Sequence, residues 1–218
     1  MYNTIVTSDL GELVARSYGV DVEKTLTGFK FIGDKIRKYE QTHEKTFVFG
    51  YEESYGCVIK DFVRDKDAVQ AVLTAAEAGN FYKKQGKDLV DVLNELYAKH
   101  GTFKETQIAL SKAGAAGAAR IKEIMDNLRK DAPQEIGGVK VVKVEDYGNS
   151  TCSDGTTIQL PKSNVLKYYL EDGSWIAARP SGTEPKCKFY SQSKAAMLMM
   201  PLVKSEVFHK AMMEIIGE

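Results

Sequence analysis

Cysteine, histidine and long apolar runs are scarce in this sequence of 218 residues. Its three cysteines, Cys57, Cys152 and Cys187, lack the short paired spacing of zinc ligands. This usage favours a reducing compartment and predicts no metal site. No run of about eighteen apolar residues occurs, and the N-terminus lacks the basic start and apolar centre of a signal peptide. We therefore expect a cytoplasmic protein without a membrane partner.

An excess of charge of either sign is also missing. Thirty Lys and Arg residues balance thirty Asp and Glu residues, so the formal net charge is zero at neutral pH. Nucleic-acid-binding proteins usually carry a basic excess, and we expect no nucleic-acid partner here. Hydrophobic residues make up 43% of the chain and charged residues 28%, which is typical of globular domains that bury a core.

The first half of the chain alternates short apolar strands with amphipathic helices. Strands are predicted at residues 4–7 and 46–49. Helical periodicity is found in ELVARSYGV, KTLTGFKFIGDKIRKYE, RDKDAVQAVLTAAEAG and KDLVDVLNELYAKHG, with Gly79 and Gly101 as the predicted ends of the last two. The alternation predicts an α/β domain over residues 1–113, with helices around a mixed, mostly parallel sheet.

The second half, residues 114–218, is predicted to be an α+β domain with an antiparallel sheet and flanking helices. The sequence GAAGAARIKEIMDNLRKDAP predicts a helix, and the small residues at 114–117 are the candidate linker. Strands are predicted in GVKVVKV, TTIQL, NVLKYYL, SWIAAR and KCKFYS, with a hairpin turn at 171–174. Apolar residues at helical spacing, including Phe208 and Met212, predict a closing helix.

The sequence RPSGTEPK, which begins at Arg179, gathers groups that bind anions. Arg179 offers a planar fork to two phosphate oxygens, and Ser181 and Thr183 offer hydroxyl donors. Gly182 allows backbone amides to approach an oxygen closely. Lys188 follows at the start of the next predicted strand. On composition alone, a phosphate-binding loop and an ordinary hairpin with solvated charges are both open.

The sequence FGYEESYG follows the predicted strand at 46–49 and precedes a predicted helix. Ligands of open α/β sheets bind at the carboxyl ends of strands. One carboxylate that accepts two hydroxyl donors suits the vicinal diol of a sugar, which makes Glu52 a candidate. Two adjacent carboxylates repel each other, so both are not expected to face one site. A solvated acidic turn is the alternative, and it is favoured more for Glu53 than for Glu52.

Lys66 is predicted to lie in the first turn of a helix, with Asp65 or Asp67 as the cap. Partial desolvation there would lower the pKa of the Lys66 ammonium toward general acid/base catalysis, and a solvated lysine is the alternative. Thr27 and Gly28 lie at a predicted turn that carries little information by itself.

Taken in order, TGFKFIG, YEESYG, RDKDAVQAVL and RPSGTEPKCKFY resemble the α-D-phosphohexomutase superfamily, the phosphoglucomutases and phosphomannomutases. The resemblance covers nearly the whole chain. It implies most of the third domain, over 1–113, and the complete fourth domain, over 114–218, of a four-domain enzyme. Such an enzyme interconverts hexose 1-phosphate and hexose 6-phosphate. A non-catalytic module that binds a sugar phosphate is the alternative.

The resemblance implies roles for the residues singled out above. The non-reacting phosphate of a hexose phosphate substrate would be bound by Arg179, Ser181, Gly182, Thr183 and Lys188. The sugar would be bound by Glu52, Ser54, Thr27 and Gly28. Lys66 would transfer a proton as general acid or base.

Two family features are absent from the sequence: the Thr-x-Ser-His-Asn phosphoserine motif and the Asp-Gly-Asp metal loop. The resemblance implies Mg²⁺ and hexose 1,6-bisphosphate as cofactors of the intact enzyme. Without these two loops we expect the chain to bind neither cofactor and to have no mutase turnover alone. The sequence also begins abruptly at a predicted strand. We therefore expect the chain to be the C-terminal half of an enzyme and to require the missing N-terminal domains of that enzyme.

Overall fold

The computed structural model describes residues 1–195 and 200–218 and contains two compact units, Met1–Gly101 and Thr102–Glu218. The predicted boundary lies later, after residue 113. A strand at Thr102–Ser111, which the sequence pattern did not predict, pairs along its length with Lys186–Ala195 and thereby joins the second unit. No helix within the described ranges has the length and apolar character needed to cross a bilayer.

The first unit is built on a sheet with helices around it. Its strands are β1 (Tyr2–Thr4), β2 (Glu23–Thr25), β3 (Gly50–Tyr51) and β4 (Cys57–Val58). Its helices are α1 (Asp9–Ser17), α2 (Phe29–Thr42), α3 (Ala68–Lys83) and α4 (Leu89–His100). The strand order is β2-β1-β3-β4, with β1 parallel to both β2 and β3 and β4 antiparallel to β3. The predicted α/β class with a mostly parallel sheet is confirmed.

Two predicted strands are displaced along the chain. β1 ends at Thr4, and residues 5–7 form a turn. Residues 2–7 are all buried, so burial and not strand conformation explains the apolar character of this turn. β3 begins at Gly50, immediately after the predicted strand at 46–49, although the Tyr2 amide still donates a hydrogen bond of 2.9 Å to the carbonyl oxygen of Phe49.

Helix α2 packs against the sheet of the first unit. Its buried residues Phe29, Ile32 and Ile36 recur at helical spacing and meet Tyr2 and Val58 from the strands. This packing fixes the start of α2 shortly after the carboxyl end of β2. The loop between them holds two of the predicted site residues.

Gly33 marks the point where α2 passes close to the segment before α3. A Cβ at residue 33 would lie 2.5 Å from the carbonyl oxygen of Arg64, so Gly33→Ala requires a shift of the backbone. We expect this variant to lower the unfolding free energy of the first unit by about 1–3 kcal/mol. Hydrogen exchange of the amides of α2 measures this loss, and unchanged protection would contradict the close approach.

Gly79→Ala is the matched control. Gly79 does not end a helix as predicted, because α3 continues through it to Lys83. A Cβ at residue 79 would meet no heavy atom within 4 Å. Alanine costs less conformational entropy than glycine inside a helix, so this variant should stabilise the first unit by roughly 0.5–1 kcal/mol. The two substitutions are chemically identical and have opposite expected signs.

The second unit contains an antiparallel sheet with helices. Its strands are β5 (Thr102–Ser111), β6 (Glu135–Ile136), β7 (Val139–Asp146), β8 (Thr151–Cys152), β9 (Leu166–Leu170), β10 (Trp175–Pro180) and β11 (Lys186–Ala195). Its helices are α5 (Gly114–Lys130) and α6 (Met200–Ile216). The order is β5-β11-β10-β9-β7-β6, with β8 beside β7. The predicted α+β class is confirmed.

Two local predictions in the second unit are wrong. The predicted strand TTIQL forms only an isolated bridge, between Thr151 and Thr157. The candidate linker at 114–117 is the first turn of α5. The buried Gly117 lies so close to Lys112 that there is no room for a Cβ.

Helices α5 and α6 supply the core of the second unit. Ile124 and Phe208 from the helices share one cluster with Ala178, Cys187 and Phe189 from β10 and β11. Side chains alternate between the two faces of a strand. The strand residues between and beside these core positions therefore project from the other face of the sheet.

Candidate functional site

The first candidate cluster lies on the face of the second sheet that points away from α5 and α6. Arg179 and Lys188 are direct cross-strand partners on β10 and β11. Nη1 of Arg179 lies 3.5 Å from the hydroxyl oxygen of Tyr190, and Nζ of Lys188 lies 5.9 Å from the centroid of the Tyr190 ring. Within residues 1–195 and 200–218, neither cation forms an ion pair with a carboxylate. Two adjacent cations without a carboxylate suit a phosphate.

The loop from β10 to β11 is held by its own backbone. The Ser181 amide donates to the carbonyl oxygen of Lys186 at 2.7 Å. Oγ of Ser181 accepts hydrogen bonds from the amides of Thr183 and Glu184, both at 3.3 Å. A Cβ at Gly182 would meet no heavy atom within 4 Å, so packing within the protein does not require glycine there. Close approach of a ligand to the backbone remains a reason for it.

The second candidate cluster lies at the carboxyl ends of parallel strands in the first unit. Residues 52–56 form the hairpin loop from β3 to β4, and not the strand-to-helix connection that was predicted. The part-buried carboxylate of Glu52 accepts a hydrogen bond from Oγ of Ser54 at 2.9 Å. Its Oε1 lies 3.9 Å from Nζ of Lys66. The structure thus brings together three of the residues that the motifs singled out.

Lys66 lies just before α3 and not in its first turn. Asp67 is the N-cap, since its side chain accepts from the amides of Val69 and Gln70. Asp65 is not the cap but pairs with Nζ of Lys66 at 2.8 Å. This hydrogen bond raises the pKa of Lys66, against the predicted lowering, because burial has the smaller effect. Lys66 is therefore held in its protonated form, and the raised pKa makes its ammonium a weaker acid than a free lysine.

Thr27 and Gly28 lie at the start of α2. Gly28 is the N-cap residue with φ of 111°, and no side chain caps the helix there. The Lys66 ammonium lies 5.2 Å from the ring centroid of Phe29, the first residue of α2. Lys66 therefore links this helix start to Glu52. The predicted sugar-binding residues and Lys66 are neighbours in one region of the first unit.

Sequence reasoning missed the role of Glu53, for which it favoured a solvated turn. The Thr4 hydroxyl donates to Oε2 of Glu53 at 2.7 Å, and the hydroxyl oxygens of Thr4 and Thr7 are 2.8 Å apart. Because the Thr4 hydrogen goes to the carboxylate, Thr7 donates to Thr4. Glu53 thus ties the hairpin loop to the end of β1, while Glu52 bonds Ser54 and faces Lys66. The sequence signal for this contact was the presence of two threonines, Thr4 and Thr7, in an otherwise apolar predicted strand.

In the part of the chain that the structure describes, no three His, Cys, Asp or Glu side chains lie together as a possible metal site. The residues present do not fit the Mg²⁺ that the resemblance implies for an intact enzyme. We assign no step to a metal on this chain.

Two family models match this sequence and agree with the two units. "Phosphoglucomutase/phosphomannomutase, alpha/beta/alpha domain III" matches residues 1–100, and "Phosphoglucomutase/phosphomannomutase, C-terminal domain" matches residues 112–203. The chain belongs to the phosphoglucomutase/phosphomannomutase family. The family resemblance of the motifs is confirmed.

Curated relatives of this family member are much longer proteins. A phosphoglucomutase from Staphylococcus haemolyticus is 41% identical over 192 residues, which cover 86% of this chain and 34% of that protein. A phosphoglucomutase from Staphylococcus epidermidis is 39% identical over 195 residues, which cover 87% of this chain and 35% of that protein. The chain therefore spans about a third of the length of these relatives.

Solved structures of two longer proteins share the fold of this family member. Pp63/parafusin, a phosphoglucomutase from Paramecium in its open form, matches with a TM-score of 0.69 and 20% identity over 99% of this chain and 37% of that one. A putative phosphomannomutase from Thermus thermophilus matches with a TM-score of 0.64 and 16% identity over 100% of this chain and 36% of that one.

Proposed function

We propose that this chain is the part of a phosphohexomutase that recognises the sugar and the non-reacting phosphate of its substrate. The intact enzyme interconverts hexose 1-phosphate and hexose 6-phosphate in the cytoplasm. The observation that carries the proposal is the cross-strand pair of Arg179 and Lys188, two cations that lack a carboxylate partner among the described residues of a family member. Such a pair leaves a position for one anionic ligand.

Each unit contributes its own kind of recognition in this proposal. In the second unit, the phosphate is bound by Arg179, Ser181, Gly182, Thr183 and Lys188. In the first unit, Glu52 and Ser54 bind sugar hydroxyls, and Thr27 and Gly28 line the same region. Lys66, held protonated beside Asp65, is the general acid/base candidate: it would donate a proton to the oxygen that loses the phosphoryl group and take one back from the hydroxyl that gains it.

The remaining parts of the reaction lie outside these 218 residues in the proposal. N-terminal domains of the same enzyme supply the phosphoserine and hold Mg²⁺, and hexose 1,6-bisphosphate is the intermediate that turns over. Positioning and charge stabilisation account for most of the catalysis of phosphoryl transfer. This chain supplies positioning of the sugar and the non-reacting phosphate, and proton transfer by Lys66.

The purified chain should therefore show no conversion of glucose 1-phosphate when Mg²⁺ and glucose 1,6-bisphosphate are present. A dehydrogenase specific for glucose 6-phosphate reports the product continuously. Full-length phosphoglucomutase from Staphylococcus haemolyticus, assayed in the same mixture, is the positive control. Measurable turnover by the chain alone would mean that the phosphoryl donor lies within it, against the proposal.

A non-catalytic module that binds a sugar phosphate is the second candidate, because the sequence lacks both the phosphoserine motif and the metal loop. Adding the purified N-terminal half of the enzyme separates the two functions. Turnover that appears only in the mixture supports the enzyme, and a mixture that stays inactive while the chain still binds hexose phosphate supports the module.

A further inference from the structure

Arg179 and Lys188 place two like charges side by side on the second sheet. They lie directly opposite each other on β10 and β11. Like charges in such cross-strand positions destabilise a sheet. A carboxylate beside them would offset the repulsion, but it would also compete with an anionic ligand for both cations. A group that attracts both cations without carrying a negative charge avoids this competition.

Tyr190 contacts both cations. It follows Lys188 by two residues on β11, so the two side chains project from the same face of the sheet. The hydroxyl oxygen of Tyr190 lies 3.5 Å from Nη1 of Arg179, and the centroid of its ring lies 5.9 Å from Nζ of Lys188. Directly opposite Tyr190 on β10 is Ala177, whose small side chain leaves space for the ring.

The two contacts use different parts of the tyrosine. The phenolic oxygen can accept from one of the five N–H groups of a guanidinium, which leaves the other four for a ligand. The aromatic face attracts an ammonium within about 6 Å of the ring centroid. Because a tyrosine carries no formal charge at neutral pH, neither cation is neutralised.

Tyr190 is itself held in place. The residue is 4% exposed, and its strand pairs with β10 on one side and with β5 on the other. Arginine and lysine side chains lose much conformational freedom when they are fixed by a ligand. A rigid neighbour that contacts both of them in advance lowers this cost of binding.

We propose that Tyr190 is a positioning residue of the phosphate site. Its hydroxyl orients the guanidinium of Arg179, and its ring holds the ammonium of Lys188 beside it. This inference rests on the proposed function, since it concerns the same anionic ligand. Tyr190 acts through the two cations and does not itself bind the phosphate.

Tyr190→Phe removes the hydroxyl and keeps the ring. We expect it to weaken binding of glucose 6-phosphate about 2- to 5-fold, the low end for one hydrogen bond because the contact is long. Tyr190→Leu also removes the ring and should weaken binding about 5- to 20-fold. Ligand-observed NMR titration measures both changes.

Tyr168→Phe is the matched control. It removes a buried tyrosine hydroxyl, which donates to the carbonyl oxygen of Leu128 at 3.2 Å, from the face of the same sheet that packs on the helices. This variant should lower the midpoint of unfolding in urea and should bind glucose 6-phosphate like the parent chain.

A comparison in the Arg179→Lys background separates positioning from a structural role. An ammonium has no planar fork to orient, so Tyr190→Phe should change the affinity of that variant by less than about 2-fold. Weakening by Tyr190→Phe in the parent background alone supports the proposal. Equal weakening in both backgrounds, or parental binding by Tyr190→Phe, overturns it.

Arg179→Ala distinguishes failure of this inference from failure of the proposed function. If Arg179→Ala loses binding while Tyr190→Phe binds like the parent, the phosphate site stands and the role of Tyr190 is wrong. If Arg179→Ala also binds like the parent, the proposed phosphate site is wrong as well.

Discussion

Arg179→Ala should abolish detectable binding of glucose 6-phosphate by this chain. The parent chain is expected to bind with a dissociation constant on the order of millimolar, or ~4 kcal/mol. Each charge-assisted hydrogen bond contributes about 1.5–3 kcal/mol, so loss of a guanidinium that makes two of them leaves almost no affinity. Isothermal calorimetry, supported by ligand-observed NMR at high ligand concentration, measures the change.

Two further variants make this test specific. Arg179→Lys keeps the charge beside Lys188 but loses the planar fork, and we expect an intermediate affinity. Arg37→Ala removes an exposed guanidinium on α2 that pairs with Asp34 at 3.5 Å, and it should bind like the parent chain. If Arg179→Ala bound glucose 6-phosphate as tightly as Arg37→Ala, the phosphate assignment would be incorrect.

Phe208→Ala should have the largest effect on stability. Phe208 is 1% exposed and belongs to the core that α6 forms with the sheet of the second unit. Replacement of a buried phenylalanine by alanine costs about 3–5 kcal/mol, through lost burial and a residual cavity. Since domains of this kind are stable by only about 5–15 kcal/mol, much of the second unit should unfold at low urea concentration.

The fluorescence of Trp175, the single tryptophan of the chain, reports this unfolding from β10 in the same unit. Val207→Ala is the matched control because it alters the neighbouring position on α6, where the side chain is 42% exposed. We expect its cost to stay below about 1 kcal/mol. Similar costs for the two variants would place the wrong face of α6 against the sheet.

Prediction from sequence succeeded where neighbouring residues set the structure. Helix α4 shows this well, because Asp88 and Asp91 form a capping box at its start and Gly101 follows at its end. The turn between β9 and β10 is equally local, since Asp172 accepts from the Ser174 amide within the predicted turn. Such signals lie within a few positions of each other and can be read without a fold.

Prediction failed where a partner distant in sequence decided the outcome. Strand β5 contains the mostly exposed polar run 104–107, and it is a strand because β11 pairs with it from Thr102 to Ser111. TTIQL has the composition of a strand but pairs only at one bridge.

The candidate site was also predicted in part from local sequence and in part only from the tertiary structure. The motifs located Arg179, Glu52 and Lys66 without coordinates, because residue type and order along the chain are enough to define them. The sequence by itself thus determined the family and the two classes of domain, and it singled out the groups that we propose bind a sugar phosphate. The partner of Glu53 and the direction of the pKa shift of Lys66 were decided by tertiary structure alone. Each depends on how close folding brings two side chains. The strength of a hydrogen bond or of a charge interaction depends on that distance in space, and not on the separation along the chain.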